Sequence, residues 1–221
     1  MCVDEKTGIQ AIEPAAPTKP MRPGQSEKRE AEYLRHGTQT LIGNFEVATG
    51  EVIAPTVQQT RTEADFATHI EQTIAIDPKA GWIFVADNLT THVSATLVLL
   101  VAALCSIPGK ALGVKGKSGI LKSVSTRRVF LADATHRVHF VFVPKHTSWM
   151  NQVEIWFSVL SRRVLRRGVF RSTDDLRNRI LKFIDYYNDT MAKPYKWTYA
   201  GRVLNVGSKK KGSHGSWIRP R

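Results

Sequence analysis

Cysteine is nearly absent from this 221-residue chain, with Cys2 and Cys105 the only two. Two cysteines cannot build a disulfide framework, and no CxxC or Cys/His zinc spacing accompanies them. They fit a reducing compartment. Long apolar runs are lacking too. The most apolar stretch, Val93 to Ile107, is 15 residues long, contains Ser94, Thr96 and Ser106, and stops at Pro108. A bilayer span needs roughly 20 apolar residues, so this stretch reads as a buried helix. The N-terminus, Met1-Cys2-Val3-Asp4-Glu5-Lys6, has no apolar signal core. A soluble, intracellular protein without a membrane partner is therefore expected. Acidic residues are scarce in the second half. Residues 101–221 hold 24 Lys+Arg and 6 Asp+Glu, a net of +18, against 8 and 13, a net of −5, in residues 1–100. The two halves sum to the net +13 of the chain. That asymmetry points to a polyanion, nucleic acid above all, as the partner of the second half.

A hydrophobic content of 42% excludes collagen-like and fully disordered classes and fits one globular domain. Residues 2–12 read as a strand, or as a hairpin broken at Thr7-Gly8. Residues 13–40, with Pro14, Pro17, Pro20 and Pro23, read as a loop. Leu41–Val47 and Val52–Val57 read as a hairpin around Ala48-Thr49-Gly50-Glu51. Phe66, Ile70 and Ile74 lie at helical spacing before Asp77-Pro78. Trp82–Ala86 reads as a central strand covered on both faces. Residues 108–128 alternate glycines with Lys110, Lys115, Lys117 and Lys122 and read as a flexible basic segment. Gly116-Lys117-Ser118 is no phosphate-cradling loop, because position 111 is Ala rather than Gly and a helix precedes it. Val138–Val143 reads as a strand. A helix capped near Thr147 or Ser148 carries Met150, Val153, Phe157, Leu160 and Val164. A second, capped by Ser172, carries Leu176, Ile180 and Tyr187. The order predicts an α/β fold, a mixed sheet flanked by helices. The domain is expected over residues 1–203, with a basic tail over 204–221 that reads as disordered.

Three acids stand out by position. Asp4 lies in the first strand, Asp87 at the carboxyl end of Trp82–Ala86, and Glu154 on the helix after Val138–Val143, at the edge of its apolar stripe beside Asn151. An acid directly after an apolar strand is costly unless it is solvated, hydrogen-bonded or bound to a cation. Three carboxylates brought together would call for a divalent ion, and oxygen ligands select Mg²⁺ or Mn²⁺ over zinc. Taken singly, Asp87 could instead cap a turn and Glu154 could face water.

Val3-Asp4-Glu5-Lys6, Ala86-Asp87-Asn88-Leu89-Thr90-Thr91-His92 and Thr147-Ser148-Trp149-Met150-Asn151-Gln152-Val153-Glu154 stand in this order along the chain. Together they resemble the three acidic motifs of DDE transposases, in the mariner-related branch of bacterial insertion-sequence enzymes. Ile155-Trp156-Phe157, Arg166-Arg167-Gly168-Val169-Phe170 and Pro194-Tyr195-Lys196-Trp197-Thr198-Tyr199 extend the resemblance over residues 2–202. It implies a ribonuclease-H-like fold, with Asp4, Asp87 and Glu154 as catalytic residues holding two Mg²⁺ or Mn²⁺ ions. Two such ions clamp the attacking and leaving oxygens of an in-line displacement. The implied activity is DNA strand cleavage and strand transfer, with transposon ends and target DNA as partners and the nucleoid of a bacterial cytoplasm as location. A homodimer is allowed but not required. The resemblance makes Asn88 and His92 candidates for orienting Asp87 or touching phosphate, with a satisfied core histidine as the rival reading of His92, and helix spacing adds Asn151 as a candidate beside Glu154.

Only three residues precede Asp4, and the family carries a helix-turn-helix before this strand, so a truncated element is the expectation. A nucleic-acid-binding remnant without chemistry is the alternative reading, and a ribonuclease-H-like resolvase or ribonuclease a third. The spacing of Asp87 and Glu154, 67 residues, exceeds that of the mariner branch, and the surplus maps onto 108–128. Lys117, Lys122, Lys145, Arg162, Arg163, Arg166, Arg167 and Arg171 are the expected phosphate contacts. Four of these arginines form like-charge pairs at i,i+4, an unfavourable arrangement in an isolated helix that a phosphate backbone would relieve.

Overall fold

A computed structural model describes residues 1–17, 19–27, 32–144, 147 and 150–194. Five strands form one sheet in the order β3-β2-β1-β4-β5. β1 (Cys2–Pro14), β2 (Tyr33–Phe45) and β3 (Val52–Gln58) form an antiparallel meander. β4 (Trp82–Ala86) lies parallel to β1, and β5 (Val138–Phe142) parallel to β4. This is the expected ribonuclease-H-like mixed sheet, with helices on both faces.

Each face carries its own core. On one, Val3, Ile42, Phe84, Ala86 and Phe140 pack with α1 (Glu63–Ile74) and α2 (Ala95–Leu104). On the other, Cys2, Leu41 and Phe45 pack with α5 (Val153–Leu160) and α6 (Thr173–Thr190). Between α2 and α5 the chain adds the short α3 (Gly109–Leu112) and α4 (Val124–Leu131). The helices begin where side chains satisfy the free amides of the first turn. Thr62 and Asp65 form a reciprocal capping box on α1, Ser94 accepts from Leu97 N on α2, and Ser172 accepts from Asp175 N on α6.

Several expectations change. Residues 2–14 are one strand, not a hairpin. A bulge between Lys6 and Ile9 absorbs Thr7 and Gly8, and Gly8 takes a φ of +64° that favours glycine. Residues 33–40, expected as loop, belong to β2. Tyr33 to Gly37 pair with Pro14 to Ala11 through the backbone while their side chains stay exposed, so no apolar alternation betrays the strand. β4 is fully covered on one face only. Phe84 and Ala86 are buried, while Ile83 is half exposed on the other face.

Residues 108–128 are not a flexible segment. Leu112 and Leu121 sink into the core beside α2, and a Ser123/Thr126 capping box starts α4. The helix bearing Glu154 starts at Val153 rather than at Thr147, because Thr147 turns back to the Pro144 carbonyl and the Asn151 side chain bonds another strand. Ser148 and the expected tail 204–221 lie outside the described residues.

Candidate functional site

The parallel pairing of β1 and β4 aligns Cys2 with Val85. Asp4 and Asp87 each lie two residues farther on, so Asp4, the third residue of β1, stands level with Asp87, just past the carboxyl end of β4. Crevices of open α/β sheets form beyond such carboxyl ends. Alternation along β1 sends Val3 and Glu5 toward α1 and α2, and Cys2 and Asp4 toward α5. One ligand-capable atom each of Asp4, Asp87 and His92 lies within 4.8 Å of the others.

His92 sits in a single 3₁₀ turn, Thr90–Val93, and is fully buried against Phe66, with ring centroids 4.3 Å apart. Its Nδ1 donates to Asp87 Oδ1 at 2.7 Å and its Nε2 to Glu5 Oε2 at 3.1 Å. Two acceptor-only carboxylates require an N–H on each ring nitrogen. Burial alone would lower the His92 pKa, but the hydrogen bonds and charges of Asp87 and Glu5 outweigh it and raise it to about 9. Both nitrogens are occupied, so His92 stands beside the acids as a holder rather than as a free metal ligand. Asp87 Oδ1 also accepts from Leu89 N at 2.8 Å, so Asp87 does cap the turn after its strand. Burial raises its proton affinity, yet His92 and the Leu89 amide more than offset this and hold the carboxyl below its usual value.

Asp4 behaves oppositely. Burial pushes its carboxyl up to about 7, the Glu5 amide pulls it down, and the charges of Asp87 and Glu154 push it up again. Glu154 itself is exposed in the first turn of α5. Its field reaches Asp4, but its carboxylate is not within the close group of Asp4, Asp87 and His92. Gly43, opposite Asp4 in the register, lets α5 approach, since a Cβ there would lie 3.3 Å from the Phe157 ring.

The other expected orienting residues bond backbone groups near the acids. Asn151 is fully buried; its side chain donates to the Val3 carbonyl at 2.9 Å, tying the start of α5 to the strand that carries Asp4, and its own carbonyl accepts from Glu154 N at 3.1 Å. Asn88 donates to the Val143 carbonyl at 2.6 Å and accepts from Arg128. Arg128 also lies over the Phe142 ring, and Arg127 donates to the Val93 carbonyl at 2.8 Å. Both arginines, and Glu5, escaped the sequence reading. Glu5 stands next to Asp4 in the first motif, but only the strand's alternation reveals which acid faces which side.

The basic residues divide between the two faces. Lys117 and Lys122 are exposed on the unit beside α2. Arg162 and Arg163 lie in a π-helical turn, Ser161–Leu165, that continues α5, with Arg166 and Arg167 just beyond, and all four are exposed. The wider turn, closed by Arg166 N donating to Ser161 O, relaxes the i,i+4 stacking expected of them. Arg171 is exposed but paired with Glu13 at 3.6 Å. Lys145 lies outside the described residues. Trp156 is fully buried, edge-on to Tyr187, and serves the core. No described helix is long and apolar enough to cross a membrane.

The family model described as DDE superfamily endonuclease matches residues 1–177. Among solved structures, the chain is similar to the Mos1 transposase paired-end complex with left transposon end, at 16% identity over 83% of this chain and 54% of that one, with a TM-score of 0.34. It is also similar to the Mos1 strand transfer complex, at 18% identity over 83% and 53% with a TM-score of 0.33. A third similar structure is the Mos1 mariner paired-end complex with Mn, at 17% identity over 84% and 52%, also with a TM-score of 0.33. The chain spans about half the length of these structures. No curated protein matches it.

Proposed function

Since the chain belongs to the DDE superfamily of endonucleases, we propose that it catalyses divalent-metal-dependent DNA strand cleavage and strand transfer of the transposase type. Asp4, Asp87 and Glu154 are its proposed acids. The observation that carries this reading is the meeting of Asp4, inside β1, with Asp87, just past the carboxyl end of the adjacent parallel β4, one carboxylate oxygen of each lying within 4.8 Å of the other. The donor set fits the implied ions. Carboxylate oxygens suit Mg²⁺ or Mn²⁺. Burial chiefly, and the charges of Asp87 and Glu154 after it, raise the proton affinity of Asp4, and a bound cation would favour its ionised form. Two bound ions would supply Lewis-acid charge to the attacking and leaving oxygens of a phosphodiester in in-line displacement.

The chain's own residues do the rest. Asp87 is held ionised and oriented by His92 and the Leu89 amide, with Oδ1 committed to both. Asp4 must release its proton to serve. Glu154 would close the group from α5 once substrate and ions draw it in. DNA would lie along the exposed Arg162, Arg163, Arg166 and Arg167, with Lys117 and Lys122 reaching it on the other side. Whether the chain works as a homodimer on paired DNA ends belongs to the same proposal.

The test is nicking of supercoiled plasmid with Mg²⁺ or Mn²⁺. Asp87→Asn should abolish it while DNA binding persists. Nicking that survives this change refutes the site. A wild-type chain that binds DNA but never nicks with either ion supports the remnant reading instead.

A further inference from the structure

The innermost group of the site is one that metal-ligand chemistry does not use. The Glu5 side chain is 1% exposed and the His92 side chain 0%, whereas that of Asp87 is 28% exposed. A buried ion pair is weak support for stability, and apolar side chains of similar volume often do as well or better. Here the buried pair leads outward to a single group. Glu5 Oε2 accepts from Nε2, and Nδ1 donates to the same Asp87 oxygen that Leu89 N holds. Thr91 Oγ1 donates to the other Glu5 oxygen at 3.5 Å, so Glu5 is itself held.

We infer that Glu5 is a positioning residue of the metal site: through His92 it fixes Asp87 Oδ1 and leaves Oδ2 as the oxygen offered to a cation. Glu5 sets the ring because an acceptor-only carboxylate at Nε2 demands an N–H there, which holds the imidazole in the plane that reaches Asp87. Partners of this kind orient ligands and change metal affinity by roughly 10–100-fold when removed. This inference rests on the metal-dependent reading proposed above.

The experiment is Mn²⁺ binding to the full chain, read from the electron paramagnetic resonance of free Mn²⁺, with folding followed by circular dichroism. His92→Gln places an amide near the Nε2 position, keeping the contact with Glu5 and dropping that with Asp87. It should fold and bind Mn²⁺ about 10–100-fold more weakly. Glu5→Leu should weaken binding to a similar degree, and Glu5→Gln, whose amide can still donate to Nε2 while Nδ1–H reaches Asp87, should restore most of it. In the wild-type chain, Mg²⁺ should shift the His92 ring ¹⁵N resonances. Three results overturn the inference: a folded His92→Gln that binds within about threefold of wild type, a Glu5→Gln as damaged as Asp87→Asn, which would make Glu5 a ligand, or ring resonances unmoved as Mg²⁺ saturates the site. If Asp4→Asn and Asp87→Asn also leave Mn²⁺ binding untouched, the metal-dependent reading itself fails, which separates the two.

Discussion

His69 offers a test of the fold that is independent of the site. It lies on α1, fully buried, and shares a 2.8 Å hydrogen bond between Nδ1 and Thr56 Oγ1. Its Nε2 is buried with no hydrogen-bond partner. Its carbonyl accepts from Thr73 Oγ1, which in turn accepts from Asn44 Nδ2, each at 2.8 Å. A proton on Nε2 would meet no acceptor, and burial lowers the His69 pKa to about 3. Unfolded, the ring titrates near its ordinary value of about 6.5. Between these values the unfolded chain binds a proton that the folded chain refuses, so this contribution falls as pH drops below about 6.5. Each pH unit in that window costs about 1.4 kcal/mol, so moving from pH 7 to pH 5 removes about 2 kcal/mol. His69→Asn keeps a polar partner for Thr56 but cannot titrate. The smaller side chain adds a constant offset, so the informative quantity is the difference between the two stability–pH curves. Urea unfolding at pH 7, 6 and 5 should show the wild type losing about 2 kcal/mol more than the variant. Parallel curves would refute the assignment of a neutral, proton-excluding His69.

Replacing Arg162, Arg163, Arg166 and Arg167 with Ala should lower the salt slope of DNA binding by roughly 0.9 for each phosphate no longer neutralised, about 3–4 units if all four touch phosphate. An unchanged slope in a fluorescence-anisotropy salt titration would assign them to solubility. Gly50 carries a φ of +80°, and a Cβ there would overlap the Lys193 carbonyl, so Gly50→Ala should lower stability by more than about 1 kcal/mol in urea unfolding. Because the Asp4 carboxyl holds its proton up to about 7, Mn²⁺ should bind more tightly as pH rises from 6 to 8, with proton release visible in calorimetry run in buffers of different ionisation enthalpy. Affinity that ignores pH across this window would place Asp4 outside the metal site.

Much of this architecture was legible from local pattern. Asp87 follows an unbroken apolar run, Ser172 precedes two acids and a helical stripe, and Asp77-Pro78 stops α1 near where the chain turns. These signals depend only on near neighbours. The first half of β2 was not legible, because its pairing runs through backbone groups and its side chains face solvent. The start of α5 was hidden because Asn151 bonds Val3, 148 positions away, instead of capping its own helix. α4 was masked by the glycines and lysines ahead of it, although Ser123 and Thr126 carry a capping box. In the site, each acid could be picked out by its place on an element. The Glu5–His92–Asp87 chain could not, since it joins residues up to 87 positions apart.

The two arginines of α4 alter how the positive half of the molecule should be counted. Arg127 donates from Nε to the Val93 carbonyl and from Nη1 to the Leu121 carbonyl, and Arg128 donates to Asn88 over the face of Phe142. Both are half-buried. A guanidinium whose donors already serve protein oxygens displaces few counterions from a nucleic acid, because it would have to abandon those partners first. The same two side chains hold the chain just after Asp87, at Asn88, and just after His92, at Val93. The second half of the chain will therefore answer to ionic strength as a less basic protein than its sequence charge suggests. A screen that ranks such chains by net charge would credit to DNA affinity cations that act instead as internal crossties.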